Sequence, residues 1–87
     1  MTQEELTQRQ QDAMIYVLLE DDRFKGALEH FAKIEAGSFR DNSYHYTLAG
    51  ESHRAVVAAA KAEGIENFWA ELQQAAKRHK ARKTSGA

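Results

Sequence analysis

No proline interrupts this chain, and that single feature restricts its fold more than any other. Proline breaks helices because it lacks a backbone N–H donor and clashes with the preceding turn. The residues that favour helices, Ala, Glu, Gln, Lys and Leu, are abundant. Three of the five glycines, Gly37, Gly50 and Gly64, fall where helical patterns break. The sequence therefore predicts an all-α fold.

The first half of the chain predicts two helices with a boundary near Asp21. Thr2 and Glu5 match the S/T-x-x-E capping box that marks a helix N-terminus. The acidic run 20–22 suits the start of a second helix better than the end of the first, because the helix dipole favours anions at an N-terminus. A single helix over residues 3–36 is the alternative. For the apolar run 13–19, a buried strand competes with the helix.

Glycine marks the later helix ends. Gly37 is expected to end the second helix, and Gly64, which precedes an apolar residue, matches a Schellman ending of the third. Residues 38–50 combine short polar side chains typical of turns with aromatic residues, and predict an ordered aromatic loop. The expected product is one small domain over residues 1–83 with a frayed tail at 84–87. Its four helices are predicted near residues 3–20, 22–36, 51–63 and 66–81.

The composition excludes several classes of protein. Without cysteine the chain forms neither disulfides nor thiolate metal sites, which favours a cytoplasmic location. The N-terminus is polar and acidic, unlike a secretory signal. The longest apolar run, residues 13–19, is far shorter than the about twenty residues that cross a bilayer. We therefore expect a protein without a membrane span.

No pattern in the sequence predicts a catalytic, cofactor or metal site. The histidines are too widely spaced to form a helical i, i+4 ligand pair, and no glycine-rich phosphate loop occurs. Ser52 and His53 with Asp41 do not make a catalytic triad, because triad members converge from distant parts of a larger scaffold. We expect a non-enzymatic protein with no cofactor and no small-molecule substrate. The four histidines are His30, His45, His53 and His79.

A cluster of five cations near the C-terminus admits two interpretations. The cations complement the negative end of the last helix and keep the protein soluble, or they bind nucleic-acid phosphate. The helix-turn-helix alternative for residues 60–65 is weakened by Glu66 and Glu71, acids on the helix that would read DNA. A nucleic-acid-binding regulator is therefore the second functional hypothesis. Its candidate residues are Lys77, Arg78, Lys80, Arg82 and Lys83.

The first functional hypothesis is protein–protein interaction. The apolar faces of the predicted helices exceed what one small core covers, unless the first helix lies in the middle of a bundle. The excess would seal a homodimer or form a groove for another protein, as in a small adaptor, inhibitor or regulatory subunit of a bacterial or phage accessory type. The alternative is that the aromatic residues of the loop pack into the core and hold the loop against the helices. The candidate partner-binding residues are Phe39, Arg40, Tyr44, Tyr46 and Trp69, because aromatic and arginine side chains dominate binding hot spots.

Overall fold

The computed structural model describes residues 2–85, and these form three helices. They are α1 (Gln3–Glu20), α2 (Asp22–Leu48) and α3 (Ser52–Ser85). The prediction of an all-α fold is confirmed, but the prediction of four helices is wrong. None of the three helices has the length and hydropathy needed to cross a membrane. Of the tail predicted at 84–87, Thr84 and Ser85 lie in α3, and residues 86–87 lie outside the described part.

The ordered loop predicted at residues 38–50 is instead the last part of α2 through Leu48. Gly37 does not end the helix, because a helical glycine costs only about 1 kcal/mol relative to alanine. Of the short polar side chains that suggested a turn, Ser43 bonds to a helix carbonyl instead, and Thr47 does the same one turn later. The Thr47 hydroxyl donates to the Ser43 carbonyl at 2.9 Å, and the Ser43 hydroxyl donates to the Ala55 carbonyl at 2.8 Å.

The helices predicted at residues 51–63 and 66–81 are one helix, α3. The Schellman ending expected at Gly64 occurs at the end of α2, where Gly50 has a left-handed φ of 78°. The Glu51 N–H donates to the Tyr46 carbonyl at 2.8 Å, and the Gly50 N–H donates to the Thr47 carbonyl at 3.1 Å. These two bonds are the pair that defines the motif. Among the described glycines, Gly50 alone has a positive φ.

The boundary between α1 and α2 was predicted correctly. The Thr2 hydroxyl caps α1 by accepting the Glu5 N–H at 3.1 Å. Asp21 has extended backbone angles, and its carboxylate accepts the Arg23 and Phe24 N–H groups at 3.0 and 3.3 Å. Asp21 therefore separates the helices, which rules out a single helix over 3–36. The run 13–19 is helical, so the strand alternative is wrong as well.

The chain divides into two compact units. The terminal unit contains the residues up to Ala27 and those from Ala70 on, and in it α1 packs against the second half of α3 around Leu19 and Ala75. The hairpin unit, Leu28–Trp69, contains most of α2 and the first half of α3, joined by the turn at 49–51. The buried side chains of the hairpin unit are all alanines, which allow two helices to approach closely. They are Ala36, Ala55, Ala58 and Ala62.

Candidate functional site

Among the described residues of the terminal unit, one charged group is buried, the carboxylate of Asp12. Asp12 lies on the face of α1 that also carries Leu19 and is only 2% exposed. Arg78 donates to both its oxygens, from Nε to Oδ2 and from Nη2 to Oδ1, each at 3.1 Å. Arg82, one turn further along α3, donates from Nη1 to Oδ2 at 2.9 Å. The three bonds join α1 to α3.

Hydrogen bonding to Arg78 holds the pKa of the Asp12 carboxyl below its ordinary value. Burial acts in the opposite direction, and the hydrogen bond and charge of Arg82 add to the lowering. The same pairing raises the pKa of Arg78. Asp12 is therefore ionised at neutral pH, and its charge is balanced by two cations.

The Asp12 cluster changes the interpretation of the basic C-terminus. Arg78 and Arg82, two of the five candidate nucleic-acid-binding residues, are engaged with Asp12. Lys83 lies over the ring of Tyr16, with Nζ 5.5 Å from the ring centroid. Hydrogen bonding to Glu20 raises the pKa of the Tyr16 hydroxyl. The remaining two, Lys77 and Lys80, line a groove that also contains Tyr16 and Glu20.

The hairpin unit has a groove lined by aromatic and cationic side chains. Phe39, Asn42 and Tyr46 contribute from α2, and Arg54, Val57 and Lys61 are among the residues contributed by α3. Two of the cations lie over the two rings. Lys61 Nζ is 5.5 Å from the centroid of Phe39, and the Arg54 guanidinium is 5.9 Å from that of Tyr46. The lining includes no acidic residue.

Two exposed phenylalanines extend this groove along both helices. Phe31 precedes Asn42 by eleven positions, and Phe68 follows Val57 by eleven, which is about three turns in each case. Each phenylalanine therefore lies on the same side of its helix as the groove residue. Phe31 is 62% exposed and Phe68 is 66% exposed. We call this surface the aromatic face; it comprises Phe31, Phe39, Asn42, Tyr46, Arg54, Val57, Lys61 and Phe68.

Another side of the hairpin unit has a groove in which four charged side chains lie beside small residues and Trp69. Arg40 of α2 forms an ion pair with Glu66 of α3, and Lys33 lies 3.5 Å from Glu29. Trp69 lies beside these residues and is half-buried. The four charges on this side are therefore paired with one another.

The structure separates the five residues predicted to bind a partner. Phe39 and Tyr46 lie together on the aromatic face. Arg40 and Trp69 lie on the charged side. Tyr44 lines neither groove; it is 63% exposed, and its ring contacts His45. Sequence reasoning missed Phe31, Val57 and Phe68, although the eleven-residue spacings from Phe31 to Asn42 and from Val57 to Phe68 are visible in the sequence.

A second exposed apolar surface lies on α1. Met14, Val17 and Leu18 are 68%, 68% and 52% exposed, and together with Ala13 they line a shallow depression in the terminal unit. Leu6, 44% exposed, continues this surface toward the helix start. We call it the outer face of α1; it lies away from the side of α1 that contains Asp12 and Leu19.

Within residues 2–85, no group of three or more His, Asp or Glu side chains is arranged to hold a metal ion. Comparisons with family models, with curated proteins and with solved structures found no match to this chain.

Proposed function

We propose that this protein is a non-enzymatic protein–protein interaction module, such as an adaptor or regulatory subunit, that docks its partner on the aromatic face. The supporting observation is the mismatch between its core and its surface. Among residues 2–85, Leu19 is the one large apolar residue that is buried; the rest of the apolar core is alanine. Phe31, Val17 and Phe68 are each more than half exposed. Exposed apolar surface of this kind marks interaction sites.

The chemistry of the aromatic face is suited to binding a helix. Two antiparallel helices form a groove into which an amphipathic helix places apolar residues at spacings of three and four. Phe39 and Tyr46 line the floor of the groove, and Phe31 and Phe68 extend it. Arg54 adds positive charge beside Tyr46, and Lys61 adds positive charge beside Phe39. The groove therefore favours an apolar helix with acidic residues that can reach these two cations.

The nucleic-acid alternative has less support, because two of its five candidate residues, Arg78 and Arg82, are engaged with Asp12. A cytoplasmic location remains part of the proposal and is supported by the absence of cysteine.

The proposal is tested by site-specific photo-crosslinking in the native cell. Benzoylphenylalanine in place of Phe68 should give one discrete protein adduct on irradiation. The matched control places the same group at Glu63, which is exposed on another side of α3 and lines neither groove of the hairpin unit. If position 68 gives no adduct above the level at position 63, the aromatic face is not a docking surface.

A further inference from the structure

We infer that the aromatic face binds a helix of a different protein that carries two carboxylates seven positions apart on one side, with an apolar residue between them. The inference rests on the proposed function and specifies the partner of the same surface. All the residues that support it lie within the hairpin unit, Leu28–Trp69. Three properties of the groove carry it: the spacing of its cations, the rings that position them, and its charge.

The groove repeats one pairing of a cation with a ring. On α2, Tyr46 follows Phe39 by seven positions, and on α3, Lys61 follows Arg54 by seven. Because the two helices run antiparallel, Lys61 lies over Phe39 and Arg54 lies over Tyr46. Seven residues make about two helix turns, so the two pairs are about 10 Å apart along the groove. One wall of the groove therefore carries both rings, and the other carries both cations.

The two cations are available to a partner. Arg54 has only a loose contact with Glu51, at 3.7 Å, and its side chain is 67% exposed. Lys61 is exposed and forms no ion pair within residues 2–85. Each cation is positioned by a ring at a distance typical of cation–π contacts. A group that is already positioned loses less entropy when it binds, so each cation is suited to a carboxylate that approaches from solvent.

The distance between the cations selects a helical partner. Acids seven positions apart on an α-helix are about 10 Å apart and differ by only about 20° around its axis. An extended strand fits less well, because residues on one face of a strand are about 6.6 or about 13 Å apart. Between the two cations, α3 contributes Val57 and Ala58 to the groove. The partner residue three or four positions after the first acid would pack there, and it is therefore expected to be apolar.

The surrounding charges limit the partner to two acids on this side. Glu35 lies one turn before Phe39 on α2, toward the end of the aromatic face that contains Phe31 and Phe68. A third acid two turns beyond Lys61 would meet the charge of Glu35, and like charges in an interface are unfavourable. An apolar residue at that place would instead pack against the two phenylalanines.

The charge of the hairpin unit disfavours nucleic acid on the same surface. The unit contains six acids and four bases, a net charge of −2 with histidine neutral. Domains that bind nucleic acid have a basic surface, because they neutralise a row of phosphates. A helix with two carboxylates matches the two cations without placing a long row of negative charge against those acids.

The sequence also disfavours a second copy of this chain as the partner. Acids seven positions apart occur twice, as Glu5 with Asp12 and as Asp22 with Glu29. Asp12 is buried and bound by two arginines. Glu29 forms an ion pair with Lys33. Neither pair presents two free carboxylates, so the partner that fits the groove is a different protein.

Fluorescence anisotropy with two designed helical peptides tests the inference. The matched peptide has glutamate at two positions seven apart and leucine between them. The control peptide has the same composition, but its second glutamate is five positions after the first, which places the carboxylates about 140° apart around the helix. At low ionic strength we expect the full chain to bind the matched peptide about three- to fivefold more tightly, the effect of one exposed ion pair. Equal binding of the two peptides, or binding of neither, would overturn the inference.

Two double variants test whether the cations of the groove cause this preference. Arg54→Gln/Lys61→Gln should bind both peptides equally, because both partners of the carboxylates are gone. The matched control Lys33→Gln/Arg40→Gln removes the same charge from the groove that contains Trp69, and it should keep the preference. All four side chains are exposed, so both variants should retain helical circular dichroism. Loss of the preference in the control as well would show that overall charge determines binding, and the inference would be wrong.

The outcomes separate this inference from the proposed function. If the peptides are not distinguished but the crosslink at position 68 joins another protein, the inference is overturned and the proposed function stands. If sedimentation shows a dimer that Phe68→Glu dissociates, a second copy covers the aromatic face, with the same consequence. If an oligothymidylate of about twelve nucleotides binds the wild type but not Arg54→Gln/Lys61→Gln, the face binds single-stranded nucleic acid, and both proposals are overturned. If position 68 crosslinks to nothing, the proposed function fails, and the inference fails with it.

Discussion

Replacing Asp12 by asparagine is the sharpest test of what joins α1 to α3. The substitution keeps the shape of the side chain and removes the charge that Arg78 and Arg82 share. Hydrogen bonds to charged groups contribute about 1.5–3 kcal/mol each. Loss of one member of a buried ion pair costs about 3–5 kcal/mol. These two ranges bound the expected effect from either side.

The exposure of the two arginines places the expected loss of stability near the lower of these two ranges. Their side chains retain 39% and 33% of their accessible surface, so both regain hydration when the carboxylate charge is lost. We therefore expect Asp12→Asn to lower the free energy of unfolding by about 2–3 kcal/mol. An 87-residue domain has only about 4–13 kcal/mol in total. The melting temperature should fall by roughly 10–20 °C.

The pH dependence supplies a second readout. The folded pKa of Asp12 lies below the ordinary value, so its stabilising contribution is complete above the unfolded pKa of about 3.9. The contribution is lost as the pH falls through the lower folded pKa. Wild-type stability should therefore decline below about pH 5, and the Asp12→Asn variant should decline less.

Urea unfolding followed by circular dichroism at 222 nm measures both effects. The protein concentration must be the same for all variants, because self-association adds to apparent stability. Asp41→Asn is the matched control; it removes an exposed acid from α2 and should change stability by less than about 0.5 kcal/mol. A loss below about 0.5 kcal/mol for Asp12→Asn, or an acid profile identical to that of the wild type, would refute the argument.

Three further predictions follow from the helix ends and from the cation cluster. Gly37→Ala should raise the free energy of unfolding by about 0.5–1 kcal/mol, since Gly37 is mid-helix with open space at its Cβ position. Gly50→Ala should lower it by about 1–2 kcal/mol, because the φ of Gly50 is 78°. Urea unfolding distinguishes the two signs, and stabilisation by both variants would contradict the assigned helix ends. Thr2→Ala should cost about 1 kcal/mol and increase amide exchange in the first turn of α1; unchanged exchange would argue against the cap. The double variant Lys77→Gln/Lys80→Gln should give the same fluorescence anisotropy with duplex and single-stranded probes at low salt as the wild type. A salt-dependent rise in anisotropy that the wild type shows and the variant lacks would support the nucleic-acid hypothesis.

The local chemistry of the chain was sufficient to predict its helical class and one of its boundaries. Absence of proline and abundance of helix-forming residues determine that helices form. At Thr2 and Asp21 the capping side chains are within two or three residues of the N–H groups that they bond. Such interactions depend on sequence neighbours alone, so they can be predicted before the tertiary structure is known.

The glycines show where local reasoning stops. Gly37, Gly50 and Gly64 each interrupt a helical pattern in the sequence, yet of the three only Gly50 ends a helix. A glycine permits a left-handed turn but does not require one. The difference comes from contacts across the hairpin unit, where an alanine seam and the Ser43 to Ala55 hydrogen bond hold residues 38–48 against α3 in helical form.

Some features of the candidate sites could be predicted from the sequence, and others depend on the tertiary structure. The excess of apolar side chains was one of two alternatives that the sequence allowed, because counting residues does not show whether the first helix lies in the middle of a bundle. The partners of Asp12 were not evident from the sequence, because Arg78 and Arg82 lie more than sixty positions away and only packing brings them to it. Packing also decides that Phe39 and Tyr46 share a face while Arg40 and Trp69 lie on another side. The relative direction of two side chains on a helix follows from the number of residues between them, provided that the helix is unbroken. That continuity was known only once Gly37 and Gly64 were seen to lie inside their helices.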